Sequence, residues 1–232
     1  MTKNIGKSEE KNLVNNLNNK KFSDLDYKHK EIISKSFSNI SENSIIKASN
    51  ISGNLKPDLE ILINNKTNLY SLKTGSGNSI HQEPLDEFIK FSKELNKSSE
   101  EILDTIKFFI WTDGTTDGTG EIRDRMDKKT LRLKYPEKLS LIKNFFFNNK
   151  IMIIERILLK NTSHLIFKKK NGNYLIKNRD FIFNKFEKYN EGTYGLGPIT
   201  FQTWNPALKG QTKKPRNVVQ FKWGKIEKDL EE

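Results

Sequence analysis

Three residues close together in the chain carry side chains that phosphate-ester hydrolysis uses. Asp58 follows Pro57, Lys73 comes after fourteen intervening residues, and Glu83 is the first acid beyond the polar stretch Thr74-Gly-Ser-Gly-Asn-Ser-Ile-His-Gln. Hydrolysing a phosphodiester calls for a cation on a non-bridging oxygen, an activated water and relief of charge on the leaving oxygen. A carboxylate such as Asp58 suits a hard cation such as Mg²⁺, which takes oxygen ligands and keeps several waters. A lysine such as Lys73 can orient the attacking hydroxide and stabilise the transition state. Cysteine is absent, so disulfides, thiolate nucleophiles and zinc–thiolate sites are excluded together, and any metal must be held by oxygen or imidazole.

The elements that must position these groups are two short strands. Asp58-Leu-Glu-Ile-Leu-Ile63 and Asn68-Leu-Tyr-Ser-Leu-Lys73 are β-prone runs joined by Asn64-Asn-Lys-Thr67, a connection suited to a hairpin. With Asn65 and Lys66 as the turn, Leu62 pairs with Leu69, Glu60 with Ser71, and Asp58 with Lys73. The period of two then sets Asp58, Glu60, Ser71 and Lys73 on one face. Pro84 fits the first turn of a helix through Leu85, Phe88, Ile89 and Leu95, so Glu83 lies near a helix N-terminus, where an acid also suits the helix dipole.

The order Pro57-Asp58 followed by Ser71-Leu72-Lys73 resembles the PD-(D/E)xK nuclease superfamily, whose best-known bacterial members are type II restriction endonucleases. The resemblance covers residues 57 to 95. That family places an Asp on one strand and an acidic-x-Lys tripeptide on the next, and here Ser71 stands where the second acid is expected. Some members with Ser-x-Lys take that carboxylate from the following helix. The resemblance therefore implies Asp58 as a metal ligand, the Leu72 carbonyl as a further one, Lys73 as the catalytic lysine, and a second carboxylate from Glu83, Glu87 or Glu60. Glu83 is favoured, because its polar loop lies against the strand end. Glu31 is the candidate for the first-helix acid that many members carry, although it falls off its helix's apolar stripe.

Candidate DNA contacts surround this segment. Ser71, and Ser76, Asn78, His81 and Gln82 in the glycine-rich loop, can donate to phosphates or base edges. Gly75-Ser-Gly lacks the Gly-Lys-Ser/Thr of a Walker A loop, which argues against an NTPase. Thr112 to Arg125 combines three glycines with Arg123 and Arg125, the side chain best suited to bidentate contact with guanine or phosphate. Asp113 and Asp117 in this loop lack the spacing of an EF-hand. A second basic segment runs from Asn205 to Lys222 and includes Lys209, Lys213, Lys214 and Arg216 with Gln211 and Gln220. Over the whole chain 41 Lys and Arg face 29 Asp and Glu, giving +12 at pH 7, a field that favours a polyanion. A Lys/Asn/Ile-rich composition from an A/T-rich genome gives the same balance without any selection for binding.

The remaining pattern is that of a globular α/β protein. Its 232 residues suffice for one compact domain, and ten per cent are aromatic despite a mean hydropathy of −0.73. Leu13 and Leu17 after Ser8, and Leu25, His29, Ile32, Ile33 and Phe37 after Asp24, read as amphipathic helices. Ile106–Trp111, Lys150–Leu159, His164–Lys168, Tyr174–Lys177, Ile199–Trp204 and Val218–Trp223 read as strands, with helices over Leu139–Asn148 and Arg179–Tyr189. No apolar run approaches the roughly 20 residues of a membrane span, and the first residues lack a signal-peptide core, so the expectation is a soluble, cytoplasmic protein. The full expectation is a mixed sheet flanked by helices with a restriction-endonuclease-like core. Its function would be Mg²⁺-dependent, site-specific cleavage of double-stranded DNA by a homodimer, with a cognate methyltransferase in the same system. The alternatives are a repair or mobile-element nuclease with the same core, or a noncatalytic basic DNA-binding module in which Ser71 records a lost site.

Overall fold

The computed structural model describes residues 5–52, 57–75, 79–95, 99–121, 124–189, 194, 196–203 and 217–232. The chain forms two compact units. The first comprises Met1–Asn78, Ile154–Lys185 and Lys225–Glu232, and the second Ser79–Ile153 and Phe186–Gly224. Among the described residues no helix is long and apolar enough to cross a membrane.

The first unit is built on a six-stranded mixed sheet of order β1-β2-β3-β4-β6-β7. Its strands are β1 (Lys20–Lys21), β2 (Ile45–Asn50), β3 (Leu59–Ile63), β4 (Lys66–Thr74), β6 (His164–Lys168) and β7 (Tyr174–Asn178). All neighbours are antiparallel except β4 and β6, which run parallel with Tyr70 opposite His164 and Lys73 opposite Phe167. Helices α1 (Ile5–Leu17) and α2 (Tyr27–Ser36) bury Leu13, Leu17, Ile32 and Ile33 in a core with Ile46, Leu59, Ile61, Tyr70, Leu72, Ile166 and Ile176. The cap of α2 is Asp26, whose carboxylate accepts from the His29 backbone N–H, two residues beyond the expected Asp24. Residues 22–24 instead make a short 3₁₀ turn. The expected α/β class, a mixed sheet flanked by helices, is what the chain adopts.

The hairpin forms where the sequence places it, in a register two residues from the expected one. Ile63 pairs with Lys66, Leu62 with Thr67 and Glu60 with Leu69. Asn64 and Asn65 are the two turn residues, with φ of 49° and 63°. A type I′ turn needs two residues in the left-handed region, which Asn tolerates and Lys does not favour. The tightest turn therefore uses Asn-Asn rather than Asn-Lys. An even-numbered shift preserves face parity, so Leu59, Ile61 and Ile63 still point into the core while Glu60 and Leu62 do not. Replacing Asn64 by Val is expected to destabilise the chain by about 1–2 kcal/mol, since a β-branched residue pays the full steric cost of that φ. Asn65→Gly should be neutral or stabilising. Urea denaturation of both variants checks this, and an unchanged midpoint for Asn64→Val would mean that the turn is not tight.

The second unit holds a three-stranded antiparallel sheet, order β5-β9-β8, formed by Ser79–Pro84, Val218–Trp223 and Ile199–Thr203 respectively. Helices α3 (Leu85–Glu94), α4 (Glu100–Trp111), α5 (Lys128–Lys134), α6 (Pro136–Asn148) and α7 (Lys150–Ile154) accompany it. Its core is aromatic: Phe146 lies 4.8 Å from Phe201 between ring centroids, and Phe88 and Phe221 lie 5.4 Å and 5.2 Å from the same Phe201. Pro84, expected in the first turn of α3, is its N-cap, one residue before the helix begins.

Three expectations fail in these regions. Ile106–Trp111 is not a strand but the second half of α4, which starts at the Ser99 cap with Glu100 and Glu101 in its first turn. An apolar run has no period of its own, and the start signal seven residues upstream decides it. Lys150–Leu159 is likewise helical, as α7 and then a π-helical segment Glu155–Leu159 in the first unit. Ser79–Pro84, expected as loop and helix start, is strand β5 with a bulge between Ser79 and His81.

Candidate active site

The site is assembled by β3, β4 and α1 of the first unit. Asp58 enters β3 with its backbone N–H donating to Tyr70 O at 2.8 Å, which fixes it against β4. Its Oδ2 then accepts three donors from β4: the Leu72 backbone N–H at 2.7 Å, Ser71 Oγ at 3.1 Å and Lys73 Nζ at 3.4 Å. Lys73 Nζ also donates to Leu72 O at 3.0 Å. Both side chains are largely shielded, with 20% of Asp58 and 15% of Lys73 exposed. Water screens such a pair less than one on the open surface, and a carboxylate holding a backbone N–H and an ammonium is fixed in orientation. Oδ1 of Asp58 makes no hydrogen bond among the described residues.

Serine at position 71 has a local reason. Ser71 is fully buried and donates a hydrogen bond from its hydroxyl to Asp58. A carboxylate there would set a second negative charge against Asp58 away from water, which is unfavourable without a cation between them.

The further acid at this site is Glu10 of α1. Burial raises the pKa of its carboxyl above the ordinary glutamate value; the Asp58 charge adds to the rise, while Lys73 and Lys7 oppose it. The next residue back, Glu9, pairs with Lys168 at the end of β6 and ties α1 to the sheet. Sequence reasoning missed Glu10, yet the signal was there. Glu10, Leu13, Val14 and Leu17 fall at i, i+3, i+4 and i+7, so the acid extends the stripe that α1 buries.

The other expected residues have partners of their own. Glu60 accepts from Ser49 Oγ at 2.7 Å on the exposed surface. Glu31 pairs with Lys35 at 2.6 Å along α2. Glu83 is buried on β5 in the second unit, where its Oε1 lies 3.0 Å from His81 Nε2, and Glu87 is in the first turn of α3. The exposed Gln82 donates to Ser79 Oγ at 3.2 Å. Arg125 donates from Nε to Thr112 Oγ1 at 3.1 Å and from Nη2 to Ile110 O at 3.0 Å, so its guanidinium caps the end of α4. In the same loop Asp113 and Asp117 close local turns onto Thr115 and Thr119. Gly118, at φ +73°, approaches the Trp111 indole so closely that a Cβ there would meet it at 2.7 Å. That glycine serves packing. Ser76, Asn78, Arg123, Lys209, Gln211, Lys213, Lys214 and Arg216 lie outside the described residues.

Chemically, Asp58 and Glu10 offer carboxylate oxygens and Leu72 a carbonyl, all hard donors, with the Lys73 ammonium bonded to Asp58 and to the Leu72 carbonyl. Among the described residues no group of three or more carboxylate or imidazole side chains is placed to hold a metal ion. Comparison with protein-family models and with curated proteins finds no match for this chain.

Proposed function

We propose that this chain is a Mg²⁺-dependent endonuclease that cuts double-stranded DNA at specific sites, acting as a homodimer inside the cell, with a restriction-endonuclease-like core. The observation that carries the reading is the convergence of Ser71, the Leu72 N–H and Lys73 on one oxygen of Asp58 at the start of a strand pair, with Glu10 of α1 within reach of the Asp58 and Lys73 charges. Burial is the main reason that Glu10 holds its proton more tightly than an ordinary glutamate, and repulsion from the Asp58 charge adds to it. A divalent cation relieves that repulsion, and an oxygen-only donor set suits Mg²⁺. Asp58, Glu10 and Leu72 O would hold the ion. The chemistry such an ion would supply is polarisation of a phosphoryl oxygen and a lowered pKa for a bound water.

The chain's own residues do the rest. The Leu72 N–H and Ser71 hold Asp58 in one orientation. Lys73, anchored on Leu72 O and Asp58, keeps its ammonium where it can orient the attacking water and offset negative charge building on the phosphoryl oxygens. Water adds to phosphorus, the P–O ester bond breaks, and the leaving oxygen takes up a proton. Twofold symmetry would present two equivalent sites to the two strands of a palindrome, and a methyltransferase of the same specificity would protect the host DNA.

Incubating plasmid with the full chain and Mg²⁺ tests this. Discrete fragments are expected, and chelation should abolish them. A smear would replace site-specific cleavage with nonspecific nuclease activity. Intact plasmid would leave a DNA-binding module in which the Asp58–Lys73 pair is only structural.

A further inference from the structure

The second unit carries a polar feature that the proposed chemistry does not use. On its three-stranded sheet, Gln82 of β5 stands directly opposite Gln220 of β9, and Gln220 directly opposite Gln202 of β8. Directly opposed residues of antiparallel strands project from the same face, so the three amides form a row across the sheet. They are linked: Gln202 Nε2 donates to Gln220 Oε1 at 3.2 Å, and Gln220 Nε2 and Gln82 Nε2 both donate to Ser79 Oγ, at 3.0 Å and 3.2 Å. Gln220 is buried, at 4% exposure, whereas Gln82 is exposed. On the opposite face Val219, Phe221 and Trp223 of β9 are fully buried in the core, with His81 and Glu83 of β5 opposite Phe221 and Val219. The row therefore lies on the side turned away from that core, together with Thr200 and Lys222, and none of the described residues on this face is acidic.

We propose that edge strand β5 reads adenine in the major groove of double-stranded DNA through the amide of Gln82, with Gln220 and Ser79 setting its orientation. A Gln amide offers a donor and an acceptor at the spacing of adenine N7 and N6, the pairing that distinguishes A·T from the other base pairs in that groove. Ser79 takes one Nε2 hydrogen of Gln82, which fixes the donor end and leaves the second hydrogen and Oε1 for a base. Side-chain entropy is thereby lost before binding rather than during it. Strand β5 is an edge strand of its sheet, so the exposed Gln82 lies at the sheet margin, where a groove about 12 Å wide can receive it without taking in all three strands. Lys222 supplies a positive charge on the same face for the phosphates.

This inference rests on the chain acting on DNA and deepens that reading by naming what it recognises. The test is selection of bound duplexes from a random-sequence DNA pool by the full chain in the presence of a chelator, so that binding is read without cutting. The expected result is a recovered site with at least one fixed A·T pair. Gln82→Ala should lower the preference for that pair by roughly tenfold or more. Gln82→Glu should shift the preference toward cytosine, whose N4 amine is a donor. Replacing that adenine by 7-deazaadenine should weaken wild-type binding and leave Gln82→Ala unaffected. Both substitutions are at an exposed position, and matched circular dichroism spectra confirm folding. A recovered site whose preferences neither variant moves overturns the proposal, as does an unselected pool, or retention of double-stranded RNA in preference to DNA. Cleavage run in parallel separates the two readings. Cutting at a defined sequence that ignores Gln82 sinks the glutamine row alone, whereas selective binding that Gln82→Ala relaxes, in a chain that cuts nothing, keeps the row and sinks the nuclease.

Discussion

Asp58→Asn and Lys73→Met are each expected to lower Mg²⁺-dependent cleavage by at least about a hundredfold while changing DNA affinity no more than a few-fold. Asn keeps the size of the aspartate and an oxygen for the Leu72 N–H, but removes the charge that answers Lys73 and would hold a cation. Met keeps the apolar stem of a side chain that is only 15% exposed and removes the ammonium. Both changes act where charge develops during the reaction, so the loss belongs in kcat rather than in binding. Each also leaves a shielded charge without its partner, which lowers stability. The comparison must therefore be made below the denaturation midpoint of the weaker variant, with equal circular dichroism spectra. A variant that still cuts at more than about a tenth of the wild-type rate would remove that residue from the chemistry.

The second large effect is expected at Glu10. Glu10→Gln should eliminate Mg²⁺-dependent cleavage, whereas Glu60→Gln, Glu83→Gln and Glu87→Gln should retain it. The reason is placement: Glu10 feels both Asp58 and Lys73, Glu60 is held by Ser49, and Glu83 is held by His81. A readout independent of turnover is available. An ion that binds only the folded state raises stability by RT ln(1 + [L]/Kd), about 2.7 kcal/mol at a hundred times Kd. The denaturation temperature of the wild type should therefore rise with Mg²⁺, and that rise should be absent from Glu10→Gln and from Asp58→Asn. If Glu83→Gln loses both the rise and the cleavage while Glu10→Gln keeps them, the second carboxylate is Glu83 and the role assigned to α1 is wrong.

Much of the first unit was legible because its signals are local and periodic. His164–Lys168 and Tyr174–Lys177, with Asn171-Gly-Asn between them, form the strands and turn that their composition indicates. Asp58 and Lys73 come together as the hairpin requires, even though the register is displaced, because face parity survives an even shift. Other features depend on tertiary context. The α4 run Ile106–Trp111 is buried on most sides, with Ile106, Phe108, Phe109, Ile110 and Trp111 all in the core, so it shows neither a period of two nor one of 3.6. Strand β5 follows a glycine-rich stretch and holds His, Gln and Glu, none a strong strand former. Its place comes from β9, a partner more than a hundred residues away. Glu10 was readable from its stripe, but an acid within an apolar stripe gains meaning only once Asp58 is known to stand beside it.

The parallel pairing of β4 with β6 bears on how the protein comes to exist at all. Strands β2, β3 and β4 can zip together as soon as they leave the ribosome, since each meets its neighbour through a short connection. The partner on the far side of β4 arrives only after about ninety further residues have been made. Until then Tyr70–Thr74, the stretch that carries Ser71 and Lys73, presents open backbone donors and acceptors on one edge, the kind of surface that templates aggregation. Closing so long a span is entropically unfavourable and slow. Early condensation of the intervening helices and their aromatic core would shorten the effective span. The speed with which Phe88 and Phe146, both within that span, find one another would then govern the yield of a catalytic strand to which neither belongs.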